Sequence, residues 1–135
     1  ILAGTLEIKH FTGSLYRLES GKPPVRLLEG VQCSNGMAFS MDMTSFFHTE
    51  TRNYRITRYR YDQATGEIGS PVRFYQGSSY EGLPDGITID VEDHQFVTVG
   101  RDMPPNTGTG NCPPERNEAR CPFIATKFGS ANDFA

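Results

Sequence analysis

Asn35-Gly36-Met37-Ala38-Phe39-Ser40-Met41-Asp42 and Asp85-Gly86-Ile87-Thr88-Ile89-Asp90-Val91-Glu92 align without a gap, fifty residues apart, and the register continues to Phe46 and Phe96. A second echo precedes each copy: Pro24-Val25-Arg26-Leu27-Leu28-Glu29-Gly30 returns as Pro71-Val72-Arg73-Phe74-Tyr75-Gln76-Gly77, an offset of 47. Between them run short β-branched and aromatic segments punctuated by turn residues, the pattern of strands in hairpin succession. A repeat of about 40–50 residues built from four strands is the period of a β-propeller blade. One blade cannot bury both faces of its sheet, so each copy implies stacked neighbours. The expected fold class is therefore all-β, a β-propeller of which this chain supplies about two to three blades.

Leu15 to Glu19 reads as a strand, Ser20-Gly21-Lys22-Pro23 as its turn and Val25 to Leu28 as the return. Met37 to Ser40, Ser45 to Thr49, Tyr54 to Tyr61 and Pro71 to Gln76 are four further strands, making one complete blade over Gly36 to Gly77. The loop Asp62-Gln63-Ala64-Thr65-Gly66-Glu67 places glycine where a hairpin needs a positive φ. Gly86 to Asp90 and Gln95 to Val99 open the next blade. No segment carries a 3.6-residue apolar period, so no helix longer than a turn is expected.

Composition narrows the partners. The formal net charge is −3, which argues against a nucleic-acid partner because phosphate binding needs a dense basic surface. The one basic cluster, Arg52, Arg55, Arg58 and Arg60, alternates with Tyr59 and Tyr61 and reads as a solvated strand face. No apolar run approaches the roughly 18–20 residues that span a bilayer, so no membrane role is expected. The three cysteines, Cys33, Cys112 and Cys121, lack a pairing framework or a CxxC zinc spacing. They read as free thiols of a reducing, cytoplasmic compartment.

Each repeat opens with an oxygen-bearing side chain before glycine, Asn35 and Asp85. In a propeller the innermost strand of every blade lines the central channel, so these two side chains should face each other at its mouth. An amide carbonyl and a carboxylate converging there suit a hard divalent cation. The same dipeptides are also ordinary turn formers. His10, His48 and His94 are isolated, and His48, within a strand, reads as a packed or surface residue. Ser14, Ser34 and Ser40 lack the context of a nucleophile elbow, and Thr107-Gly108-Thr109-Gly110 lacks the Lys and helix of a phosphate loop.

Ser34-Asn35-Gly36-Met37-Ala38-Phe39-Ser40, the hairpin Tyr59-Arg60-Tyr61-Asp62-Gln63-Ala64-Thr65-Gly66-Glu67-Ile68, and Leu83-Pro84-Asp85-Gly86-Ile87-Thr88-Ile89-Asp90 resemble, in combination and order, the senescence marker protein 30 (SMP-30)/regucalcin/gluconolactonase family. Gly4-Thr5 and Gly13-Ser14-Leu15-Tyr16 match the segment that family carries upstream, and the resemblance covers Gly4 to Gly100. It implies a six-bladed propeller with one divalent metal in the channel, Ca²⁺ first, with Zn²⁺, Mn²⁺ or Mg²⁺ as alternatives. It implies a sugar lactone as substrate, Asn35 and Asp85 as metal ligands, and Asp85 as the catalytic carboxylate that activates water.

The family's third protein ligand is a glutamate of the first blade, and its main sugar contacts also lie upstream; Glu7 and His10 do not stand in the matching context. The expected organisation is a partial propeller over residues 1–100, a Pro-rich loop or disordered segment over 101–121, and the truncated start of a further blade over 122–135. On this reading the chain is an interior fragment, inactive or weakly active, of a metal-dependent lactonase, with its open blade faces prone to self-association. The rival readings are a non-enzymatic calcium-binding propeller of the regucalcin type and a structural remnant whose repeat only packs.

Overall fold

A computed structural model of the chain describes residues 1–7, 10, 12–78, 82–92, 94–100 and 124–130. Three antiparallel sheets follow one another along the sequence. The first contains β1 (Leu2–Gly4), β2 (Gly13–Arg17) and β3 (Val25–Val31) in that order. The second is the four-stranded meander β4 (Ser34–Phe39), β5 (Ser45–Glu50), β6 (Arg55–Asp62) and β7 (Glu67–Gln76). It is the complete blade that the repeat predicts. The third contains β8 (Leu83–Ile89), β9 (His94–Gly100) and β10 (Ile124–Ser130), with β9 in the middle. Among the described residues the only helical element is the 3-10 turn Thr51–Asn53.

Burial along β5 explains why the sheets must stack. Phe46 and Phe47 point to opposite faces of one strand, as successive β residues do, and both are fully buried. Phe46 packs with Leu15 and Tyr59 and, around them, Leu2, Leu27, Leu28 and Phe39, joining the second sheet to the first. Phe47 packs with Ile56 and Val97, flanked by Ile87 and Ile89, joining the second sheet to the third. A strand apolar on both faces has no water-facing side, and only a sheet sandwiched between neighbours accommodates it. The outer strand β7 is largely exposed and carries Pro71. Proline removes a ladder donor, and an edge strand tolerates that loss.

Local chemistry sets the connections. Asp62 Oδ1 accepts from the backbone N–H of Ala64 and Thr65, and Gly66 turns at φ 71°. Arg17 of β2 ties this hairpin to the first sheet, donating to Glu67 Oε1 at 2.8 Å and to the Thr65 carbonyl. Tyr54, expected in a strand, instead caps the 3-10 turn with φ 52° and donates its N–H to the Thr51 carbonyl, so β6 begins at Arg55.

Two expectations change. The segment Ile124–Ser130, read as the start of a further blade, is the third strand of the β8–β9 sheet, pairing antiparallel with β9. It lies within the fifty-residue span that begins at Asp85. The register also does not hold through Phe96. Five residues separate β4 from β5, but four separate β8 from β9. Met37 pairs with His48, whereas Ile87 pairs with Val97, so Val97 stands where His48 does and the offset in β9 is 49. The Pro-rich stretch 101–121, with Cys112 and Cys121, lies outside the described residues; Cys33 is a free thiol.

Candidate functional site

Asn35 and Asp85 each sit in a β-bulge at the same point of the repeat. Ser34 pairs with Glu50 and Met37 with His48, so three steps along β4 match two along β5. Pro84 pairs with Val99 and Ile87 with Val97 in the same manner. The extra residue bends the strand and re-aims the side chain beside it, which is why bulges recur next to functional sites. β4 and β8, the first strands of consecutive sheets, come into contact here. A Cβ added to Gly36 would lie 2.6 Å from both the Asp85 carbonyl oxygen and the Ile87 nitrogen. Glycine is required because the two backbones touch. The asparagine and the aspartate that precede the repeated glycines are therefore on abutting strands.

Asn35 and Asp85 are both half-buried. Asn35 Nδ2 donates to Thr51 Oγ1 at 3.0 Å. Thr51 is itself buried, and its backbone N–H donates to the Cys33 carbonyl. The 3-10 turn that carries it also lies against β8. Among the described residues, nothing donates to Asn35 Oδ1 or to the Asp85 carboxylate. One amide oxygen and one carboxylate, both without a donor among the described residues, are hard oxygen ligands of the kind Ca²⁺ and Mg²⁺ take. On the chemistry of the donor set, the residues fit a divalent cation.

A polar layer missed by the sequence reading lies beside this pair. Ser34 Oγ and His48 Nε2 are 2.7 Å apart, and His48 is fully buried with no partner at Nδ1 among the described residues. Of the two places expected for a histidine within a strand, packed or surface, it takes the packed one. Burial pushes the imidazole down to about 4, against an upward pull from Glu50, with Arg55 adding to the fall. Glu50, also buried, accepts from Arg55 Nη2 and from Asn53 Nδ2 at 2.7 Å. Alternation on β5 places Phe46, His48 and Glu50 on one face, a signal present in the sequence once the strand is recognised.

A second carboxylate–histidine group closes the β8–β9 turn, at the other end of β8 from Asp85. Ligand atoms of Asp90, Glu92 and His94 lie within 4.8 Å of one another. Asp90 Oδ1 accepts from the backbone N–H of Glu92 and His94, and Asp90 Oδ2 meets His94 Nδ1 at 3.0 Å. Desolvation raises the Asp90 pKa, but the His94 and Glu92 hydrogen bonds outweigh it and hold the carboxyl below its usual range. These contacts are those of a stapled turn.

The family model of the SMP-30/Gluconolactonase/LRE-like region matches residues 1–103. A pentonolactonase of Haloferax volcanii is 35% identical over 94 residues, covering 70% of this chain and 32% of that protein. Regucalcin of Gallus gallus is 35% identical over 85 residues, covering 63% and 28%. Among solved structures, a luciferin-regenerating enzyme superposes with a TM-score of 0.67 at 30% identity, over 73% of this chain and 34% of that one. A regucalcin of Agrobacterium tumefaciens, described as a calcium-binding protein, superposes with a TM-score of 0.63 at 27% identity, over 67% and 31%. The chain thus spans about a third of the length of the relatives it matches, and its three sheets are blades of their six-bladed propeller. The chain belongs to the SMP-30/gluconolactonase family.

Proposed function

We propose that this chain carries two ligands of a divalent-metal site, Asn35 and Asp85, and that the site belongs to a sugar lactone hydrolase. The observation that supports it most is the doubled bulge, which sets an amide and a carboxylate on abutting strands, neither with a donor to its ligand oxygen among the described residues. Family membership and the lactonases among its relatives support a sugar lactone as the substrate class.

In hydrolysis a water oxygen bonds to the lactone carbonyl carbon, the ring C–O bond breaks, and a proton passes from the water to the departing ring oxygen. Asp85 is the base that takes this proton from water and returns it to the ring oxygen. Asn35 contributes a neutral oxygen, so the pair binds a dication while leaving net positive charge. A bound divalent cation supplies Lewis-acid polarisation of the carbonyl and stabilises the oxyanion that develops.

Isothermal titration of the chain with Ca²⁺ and with Mn²⁺, beside Asp85→Ala and Asn35→Ala, tests the site. Loss of at least tenfold in affinity in each variant is the expected result. No binding by the unsubstituted chain, or equal binding by the variants, overturns the reading. A second reading, a calcium-binding propeller without turnover, draws on the description of the A. tumefaciens relative. A pH-indicator assay of gluconolactone opening with added metal separates the two. Metal-dependent acid release that Asp85→Ala abolishes overturns the second reading; a chain that binds metal without acid release calls for the same assay on a relative that spans the whole propeller.

A further inference from the structure

We propose that Thr51 is a positioning residue that fixes which end of the Asn35 amide faces the cation. The inference rests on Asn35 being a metal ligand. A carboxamide has two ends of similar shape and opposite use: its oxygen coordinates a hard cation, whereas its nitrogen lone pair is delocalised and its N–H groups repel one. A rotation of the amide by half a turn would convert a ligand into a repulsive group. Something must bias that rotation. Thr51 Oγ1 accepts from Asn35 Nδ2 at 3.0 Å, so the nitrogen end is held on the protein side and Oδ1 is left without a donor among the described residues.

The anchor is itself held. Thr51 is 8% exposed and opens the 3-10 turn between β5 and β6. Its backbone N–H donates to the Cys33 carbonyl, two residues before Asn35, and its carbonyl accepts from Tyr54 at the left-handed cap. The turn also lies against β8, the strand that carries Asp85. Thr51 thus refers the amide orientation to both ligand-bearing strands. Outer groups that orient ligands in this way typically change metal affinity by 10–100-fold when removed.

The test is metal affinity, measured by isothermal titration with Mn²⁺ alone, on the chain and on Thr51→Val, Thr51→Ser and Asn35→Asp, with metal-free thermal midpoints recorded beside it. Valine keeps the shape and removes the hydroxyl; serine keeps the hydroxyl. The expected result is at least a tenfold loss in Thr51→Val, recovery to within about threefold in Thr51→Ser, and metal-free midpoints of all variants near that of the chain. Asn35→Asp presents two equivalent oxygens and needs no orientation, so adding Thr51→Val to it should leave affinity unchanged. If Thr51→Val binds as the chain does while Asp85→Ala does not, the positioning role is wrong and the metal reading stands. An equal loss in the aspartate background also overturns the role, since it would mark a packing effect. If the chain binds no Mn²⁺ and no Ca²⁺, the underlying metal reading fails instead.

Discussion

Ser34 Oγ and His48 Nε2 lie 2.7 Å apart on neighbouring strands of the second sheet, and the equivalent positions of the third sheet hold Pro84 and Val97. Pro84 and Val97 are both fully buried. One place in the repeat is thus filled by a hydrogen-bonded polar pair in one blade and by an apolar pair in the next. Both solutions leave the bulge and the residue after it, Asn35 or Asp85, in the same register. The polar solution carries a penalty that the apolar one lacks, because a buried imidazole must stay neutral and satisfied.

The pair should therefore behave as a unit. Ser34→Ala strips His48 of its hydrogen-bond partner at Nε2 and is expected to destabilise by about 1–3 kcal/mol. His48→Val leaves a half-buried hydroxyl and should cost less. The double variant Ser34→Ala/His48→Val, which approaches the composition of the third blade, should lose less than the sum, with a coupling of about 0.5–2 kcal/mol. Urea midpoints of the four proteins complete the cycle. Additive losses would show that the 2.7 Å contact contributes nothing.

Acid should act through the same residue. His48 takes up a proton near 6.5 in the unfolded chain and only near about 4 when folded. Between those values the unfolded state holds more protons, so stability rises with pH: it is complete above 6.5 and is lost as pH falls through the folded value. A gap of this size corresponds to about 3 kcal/mol. Urea unfolding from pH 7 to pH 4 should show that loss in the chain and not in Ser34→Ala/His48→Val, where other carboxylates supply whatever slope remains. Parallel slopes for the two proteins would remove His48 as the cause.

Close approach of β4 and β8 makes Gly36 sensitive to a single methyl. An alanine Cβ would meet the Asp85 carbonyl oxygen and the Ile87 nitrogen at 2.6 Å and the Gly86 carbonyl carbon at 2.9 Å. All three are backbone atoms and cannot swing aside, so the strands must separate. A loss of roughly 2–3 kcal/mol is expected, along with weaker Mn²⁺ binding as the ligand-bearing strands part. Gly69→Ala, whose Cβ would meet the Arg60 Cβ at 3.3 Å, should cost well under half as much. Comparable thermal midpoints for the two variants would contradict the backbone contact.

Breaking the Glu50–Arg55 charge pair should also cost stability. Glu50 is 4% exposed and is held by Arg55 and Asn53. Arg55→Ala leaves the Glu50 carboxylate with Asn53 alone, but the arginine side chain is 39% exposed and water screens the pair, so the expected loss is about 1–3 kcal/mol. Adding Glu50→Gln should restore part of that loss. A double variant no more stable than Arg55→Ala would show that packing of the arginine stem, and not charge, is what Arg55 supplies.

Alternation, turn residues and the fifty-residue echo were enough to locate the four strands of the middle blade, the glycine of the Asp62–Glu67 hairpin, and Asn35 and Asp85 as matched positions. These are properties of local chemistry and of period, and both are written along the chain. Three other features were not legible there. The β8–β9 turn is one residue shorter than its counterpart, which moves Val97 into the place of His48; a turn length is invisible when aligned letters continue past it. Asn35 meets Thr51 sixteen residues on because the 3-10 turn, with Tyr54 left-handed, folds back over the bulge. Residues 124–130 join the sheet of β9 because strand pairing is decided by which edge is open in space. Period and pattern specify which elements form; the packing of one sheet on the next decides which side chains those elements bring within bonding distance.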